Sequence, residues 1–434
     1  MKRRLLIFLS LCLLLTPTLA DAEQKSNWPH WRGPNGNGLV DQGDPPVEWD
    51  ETRNIRWKVK IPGTGYATPL VWGERIFVQT AIQTEKAVEG ADAGGRSAPP
   101  YFFQYSVLAL DRRNGEVLWE RMVREAHPHE GMHPTASFAS TSGATDGERL
   151  YAYFGSQGLY CFDLDGNLKW EKDLGKARIA RSFGEGSSPT IYGNALLINW
   201  DHEGDSFIVA LDKLTGEELW HNERDERTSW STPLVVEHKG KHQVIVSASK
   251  RTRGYDLASG KLIWECAGLG ANVVPMPLHA NGVVYVTSGH RDPAMQAILL
   301  DKAKGDITGS DAVLWSIHQD TPYVSSPILY GGRLYFMKTR YSPLSCYDAE
   351  TGEALYGPQR LEGMKDVYAS LVGVKDRVYI SGLGGTTLVI KNGPEYEVLA
   401  SNKLDEPIGA SPVMVDDELY LRGNEHLYCI AKDE

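Results

Sequence analysis

One short pattern recurs along the chain and limits the folds open to it. Its clearest copy is Ala210-Leu211-Asp212-Lys213-Leu214-Thr215-Gly216-Glu217-Glu218-Leu219-Trp220. An apolar run ends at an Asp whose carboxylate can accept turn amides, a Gly supplies positive φ, and a second short run closes on a large ring. The same order appears at Asp111…Gly115…Trp119, Asp163…Gly166…Trp170, Asp256…Gly260…Trp264, Asp301…Gly305…Trp315 (with an insertion) and Asp348…Gly352…Tyr356. Lys391-Asn392-Gly393 keeps only the turn. The glycines recur at roughly 41 to 51 residues, the period of propeller blades.

A second motif alternates with the first: small residues and often Pro, then a turn and a strand. Its copies begin at Ala67-Thr68-Pro69, Ala139-Ser140-Thr141, Ser187-Ser188-Pro189, Ser231-Thr232-Pro233, Pro275-Met276-Pro277, Ser325-Ser326-Pro327, Ala369-Ser370-Leu371 and Ala410-Ser411-Pro412. One blade is then an inner strand, second strand, third strand, Asp–Gly turn and Trp strand. A Trp-type strand at Asn54–Ile61 precedes the first inner strand, and the chain's last strand, Leu427–Ile430, lacks one. The economical solution is closure, with the Trp57 strand completing the last blade, which leaves no long open edge. The fold class expected is all-β: an eight-bladed β-propeller of four-stranded antiparallel blades, its ring closed by an N-terminal strand. Gln83–Pro100 reads as a long polar loop in the first blade.

At 434 residues the length alone suggests several domains, but blades bury their faces only on one another, so one domain is expected over 54–434. Residues 23–53 form a Gly/Pro/Asn-rich arm with Trp28-Pro29-His30-Trp31-Arg32-Gly33-Pro34, read as packing its Trp rings under the propeller rather than as a free docking peptide. Residues 1–22 read as a signal peptide: Lys2, Arg3 and Arg4, an apolar run Leu5–Leu15 too short to span a membrane, and Ala20-Asp21-Ala22 as cleavage site. The expectation is a periplasmic or secreted protein, a monomer with no transmembrane segment. A formal net charge of -11 argues against general nucleic-acid binding. Cys161, Cys346 and Cys429 occupy the repeat position of Ala109 and Ala210, a small buried site in the third strand, so disulfides among them are not expected.

Ala-x-Asp-x-x-Thr-Gly-x-x-x-Trp resembles the Trp-docking repeat of the pyrroloquinoline quinone (PQQ) β-propellers over about Asn54–Glu434. That family contains quinone-dependent dehydrogenases and non-catalytic propellers similar to BamB, an accessory of outer-membrane β-barrel assembly. The resemblance implies the fold. It does not choose between those functions. The dehydrogenases carry adjacent cysteines over the cofactor and a Ca²⁺ ion beside a catalytic Asp. This chain has no Cys-Cys pair, no C-x-x-C-H for covalent haem, and no matching Glu/Asn/Asp set that the sequence identifies.

Short turns share one face of such a propeller, and the longer loops share the other. The long loops hold Asp201-His202-Glu203, Lys250-Arg251-Thr252-Arg253, His290-Arg291-Asp292 and Lys338-Thr339-Arg340-Tyr341. Tyr66, Phe138, Trp230, Tyr323 and Tyr368 precede inner strands and are expected to rim the channel there. The ligand-binding candidates are Arg181, Trp230, Lys250, Arg251, His290, Arg291, Tyr323, Lys338, Arg340 and Tyr368, with no catalytic residue assigned. Aromatics plus cations point to an anionic ligand, while sealed blade junctions and local ion pairs are the alternative for each residue. His127-Pro128-His129-Glu130-Gly131-Met132-His133 has metal-ligand residue types but no ordering register, and it is read as a surface loop with no metal assigned. The function expected is an exported, non-catalytic binding or scaffolding protein, BamB-like, holding a polypeptide or glycan on the long-loop face. The alternative is an oxidoreductase holding PQQ or another anionic ligand in the channel; PQQ is possible and not the favoured reading.

Overall fold

The computed structural model describes residues 27–89, 97–338 and 343–432. The leader read at 1–22 and the candidate Arg340 lie outside the described residues. Among the described residues eight sheets follow one another, seven antiparallel and four-stranded and one that adds a parallel fifth strand to four antiparallel ones. The first blade is Leu70–Trp72, Arg75–Ala87, Tyr101–Asp111 and Val117–Ala126, in that order from the inside outwards. The eighth is Val413–Val415, Glu418–Arg422 and His426–Ile430, and its outer strand is Ile55–Lys60 from the other end of the chain. The eight-bladed ring with an N-terminal closing strand is therefore what the repeats imply. No helix among the described residues is long and apolar enough to cross a membrane.

The repeated turn joins neighbouring blades. In the third blade, Asp212 Oδ1 accepts the Leu214 and Thr215 amides at 2.8 and 3.0 Å. Gly216 (φ 74) packs on the Trp170 ring of the preceding blade, and a Cβ there would lie 2.8 Å from it. The Trp170 indole N–H donates to Lys213 O at 3.1 Å, the carbonyl just after the Asp. The same indole bond runs from Trp57 to Arg112 O, Trp119 to Leu164 O, Trp220 to Leu257 O and Trp315 to Ala349 O. Each Trp is directly opposite a small residue in its own blade: Trp57 pairs with Cys429, Trp119 with Ala109, Trp170 with Cys161 and Trp220 with Ala210. That explains the small register; the cysteines in it, with Cys266, are free and buried. The insertion after Gly305 breaks the series. Gly305–Asp306 instead adds a parallel fifth strand outside Trp264–Glu265, and Trp264 is fully buried, its N–H turned to Gln243 Oε1 at 2.9 Å.

The second motif also bridges blades. Its hydroxyl accepts a backbone amide from the blade before: Thr68 N to Ser142 Oγ, Ser142 N to Ser188 Oγ, Ser188 N to Thr232 Oγ1, Ser326 N to Ser370 Oγ and Ser370 N to Ser411 Oγ. Pro often follows because that position has no amide to satisfy. In the second blade the motif is Thr141-Ser142-Gly143, two residues later than the Ala139-Ser140-Thr141 expected from sequence, since Ser142 is the residue in register. A second correction concerns Gln83–Pro100. Its first part is strand, not loop: Gln83 pairs with Phe103 and Ala87 with Tyr101, so the first blade projects beyond the others.

The segment from Asn27 crosses one end of the central channel. The Trp28 and Val71 backbones exchange hydrogen bonds in the first blade, and Thr145 N donates to Pro29 O in the second. The His30 ring lies 3.2 Å from Thr190 Oγ1 in the third. Arg32 then donates to Pro327 O and Leu371 O, both at 2.8 Å, in the sixth and seventh. Gly73, in the turn after the first inner strand, donates to Asn27 Oδ1, so the crossing lies at the short-turn end. Trp28 and Trp49 are 0% and 2% exposed.

Candidate functional site

With one end crossed, the channel becomes a blind pocket of about 580 Å³ that opens on the long-loop face. Every blade contributes to it through the residues around its inner-strand start. Trp31 of the crossing segment forms the floor, and Tyr66, Phe183, Trp230, Tyr323 and Tyr368 form aromatic walls. The hydroxyl residues Thr68, Ser142, Ser188, Ser370 and Ser411 lie between them, with much of their hydrogen-bonding capacity used across blade junctions. Of the rim aromatics expected from sequence, Tyr66, Trp230, Tyr323 and Tyr368 line the pocket and Phe138 does not. Phe138 packs on Phe103 at 4.8 Å because the projecting first blade offers it an apolar partner.

The candidate residues divide into groups. Trp230 is half-buried and donates to Gly184 O at 2.7 Å. His290 stacks on Tyr323, centroids 5.1 Å apart and planes 25° apart. Burial lowers the His290 pKa, and the charges of Arg291 and Arg181 lower it further, so the ring is neutral at neutral pH. Arg181 and Arg291 are exposed at the outer lip on that side. Arg181 holds φ 53, and its charge is also felt by Tyr323, whose phenol is pushed up chiefly by burial.

Lys250, Arg251 and Lys338 do not line the pocket. Lys250 pairs with Asp225 at 3.4 Å, Arg251 with Asp306 at 2.9 Å, and Lys338 with Asp320. The basic run is absorbed by an acidic neighbourhood. Glu226 accepts the Lys250 and Arg251 amides, and Arg253 reaches Asp225, Glu226 and Glu265. Beneath it, Asp201 and Arg224 form a pair at 2.7 Å with both side chains fully buried, and Ser229 Oγ donates to the same carboxylate at 2.6 Å. These groups hold loops together.

The histidine segment is dispersed in the same way. His127 Nε2 meets Pro99 O at 2.8 Å, His129 Nε2 meets Ala177 O at 2.7 Å, and His133 Nδ1 meets Thr135 Oγ1 at 2.7 Å. Among the described residues no group of three or more His, Cys, Asp or Glu could hold a metal.

Sequence reasoning missed Glu185. It lies in Phe183-Gly184-Glu185-Gly186, which wraps the edge of Trp230; a Cβ on Gly186 would lie 3.0 Å from that ring. Glu185 lines the channel pocket and also a small internal cavity beside Glu130. The Ser156 amide donates to it at 2.8 Å. Burial pushes its pKa up to about 7, and the Glu130 charge acts in the same direction. A lone acid between two glycines, just ahead of an inner strand, was the available signal.

The pocket residues do not fit PQQ. Its carboxylates need cationic or metal partners, yet among the described residues the lining contains no Lys or Arg.

Three overlapping stretches, residues 21–194, 104–267 and 204–434, match the family profile described as outer membrane protein assembly factor BamB. Comparison with curated proteins finds no match. Solved structures are similar in fold. BamB from Moraxella catarrhalis is 12% identical with a TM-score of 0.53, over 81% of this chain and 99% of that one. The quinohemoprotein alcohol dehydrogenase from Comamonas testosteroni is 11% identical with a TM-score of 0.66, over 96% of this chain and 82% of that one. The computationally designed Ika8 protein is 12% identical with a TM-score of 0.57, over 87% and 99%. At such identities the likeness concerns fold alone.

Proposed function

The chain belongs to the BamB family of β-propellers, and from that premise we propose that it is an exported, non-catalytic binding or scaffolding protein of the cell envelope. It presents its long-loop face to a polypeptide or glycan. The observation that carries this reading is the state of the cations on that face. Lys250, Arg251 and Lys338 are held in local ion pairs outside the channel, so they do not converge on one small anion. Exposed pairs of this kind contribute little energy, leaving the face free to engage a broad surface. The family description, an outer-membrane protein assembly factor, supports an envelope role. The basic, apolar start Lys2–Leu15 supports export.

Affinity capture from an envelope fraction, with the full chain as bait, tests it. Partner recovery is expected to survive replacement of Arg251 and Arg340 by Ala, whereas a small-anion site would lose most of its affinity. A stoichiometric chromophore or metal in the protein purified from its native source would overturn the scaffold reading.

A further inference from the structure

We propose that the channel pocket takes an uncharged sugar unit, its ring faces laid on the aromatic walls and its oxygens met by hydroxyl donors between them. The inference rests on the binding-protein reading above and, of polypeptide and glycan, selects the glycan. Hydroxyl groups supply the first half of the site. Thr68, Ser142, Ser188, Ser370 and Ser411 line the pocket, each at most 6% exposed. The four serine oxygens each accept a backbone amide across a blade junction at 2.9–3.0 Å. Among the described residues no acceptor takes their hydroxyl protons, and Thr68 Oγ1 has no partner. A hydroxyl rotates to place its proton, so the first, second, third, seventh and eighth blades each offer the channel a donor. A buried donor without a partner is costly, and a ligand rich in oxygen relieves that cost.

Aromatic rings supply the second half. Trp31, Tyr66, Trp230, Tyr323 and Tyr368 line the same pocket. Tyr66, Trp230 and Tyr323 are held in place by the protein itself. Tyr66 lies over Gly409, where a Cβ would stand 2.7 Å from the ring, and Trp230 over Gly186, at 3.0 Å. The His290 ring backs Tyr323, with centroids 5.1 Å apart. Rings fixed in advance lose little freedom when a ligand stacks on them. Their faces carry negative potential, which suits the weakly positive C–H faces of a sugar ring. A sugar also carries oxygens around its edge, whereas an apolar aromatic ligand would leave the hydroxyls unpaired. Charge argues against an ion. Among the described residues the lining holds no Lys or Arg. Glu185, its one acid among the same residues, turns its carboxylate to the Ser156 amide at 2.8 Å and against Gly155, where no Cβ would fit. His290 is neutral at neutral pH. A charged ligand would lose its hydration with no counter-charge facing it.

The test is calorimetry and Trp fluorescence of the full chain with the methyl glycosides of glucose, galactose and mannose, each compared with its uronate. At least one glycoside is expected to saturate, to shift the Trp emission and to bind about tenfold or more tightly than its uronate. Thr68→Val removes a hydroxyl that bonds nothing else in the protein. It should keep the Tm and weaken that glycoside about 3- to 10-fold. Tyr368→Leu should weaken it by about the same factor. No saturable binding of any glycoside, a uronate that binds as tightly as its neutral parent, or wild-type affinity in both folded variants would each overturn the proposal. If neither variant folds, the uronate comparison on the wild-type chain decides alone. Capture that still recovers a polypeptide while no glycoside binds removes this inference and leaves the binding-protein reading standing.

Discussion

At the scale of single residues, His30 and Glu185 are shifted in opposite directions by the same cause. Burial lowers the His30 pKa from 6.5 to about 4, because a charged imidazole is excluded beneath the propeller. The unfolded chain therefore binds more protons between those values. The His30 contribution is complete above pH 6.5 and is lost as pH falls towards 4, at most about 3 kcal/mol. Glu185 rises from 4.5 to about 7, so its penalty is absent below pH 4.5 and grows as pH climbs to 7, again at most about 3 kcal/mol. The two slopes oppose each other where the windows overlap. Urea unfolding as a function of pH separates them. His30→Asn should flatten the acid limb, and Glu185→Gln should gain stability near neutral pH. An unchanged acid slope in folded His30→Asn would count against the His30 assignment.

At the scale of elements, the turn glycine is required for two reasons at once. Gly216 needs positive φ and also the space occupied by the Trp170 ring, whereas Gly193, also at positive φ, has nothing within 4 Å of where a Cβ would stand. Gly193→Ala should cost about 1 kcal/mol from backbone strain alone. Gly216→Ala should cost about 2–4 kcal/mol, because overpacking against the neighbouring blade is added. Thermal or urea denaturation checks the order; equal losses would mean the ring moves aside freely. The fifth strand at Gly305–Asp306 shows how an element escapes the rule. Gly305 has open space around it, and the inserted segment covers Trp264 instead.

At the scale of the whole molecule, the two ends of the chain meet in one sheet. Lys60 pairs with His426 and Trp57 with Cys429, and the Trp57 ring packs against Tyr420 with centroids 5.9 Å apart. Trp57→Ala should destabilise by about 3–5 kcal/mol. It should also raise amide exchange first in Ile55–Lys60 and His426–Ile430, since local opening starts where no covalent turn joins the strands. A uniform rise around the ring would show that the seam is not the weak junction. The crossing segment works at the same scale. By bonding to inner strands from the first blade to the seventh, it covers the short-turn end of the channel and ties distant blades together.

Blade number, strand order and ring closure were legible because each follows from spacing that repeats: Asp, Gly and Trp at set intervals, a surplus strand at one end and a missing one at the other. Trp170 beside Cys161 and Trp220 beside Ala210 are consequences of local register, which the chain carries with it. The pocket was legible only in part. Tyr66, Trp230, Tyr323 and Tyr368 stand at repeat positions, so their places follow from the repeat. Trp31 and Glu185 stand outside it, and nothing local indicates that an arm residue becomes the pocket's floor. The basic run at Lys250–Arg253 was equally ambiguous, since its partners Asp225, Glu226, Glu265 and Asp306 come from different loops. Periodic hydrophobic and turn chemistry acts between near neighbours and so determines the propeller from sequence. Charge pairing, desolvation and the meeting of side chains across the axis depend on distances that exist only once the ring has closed.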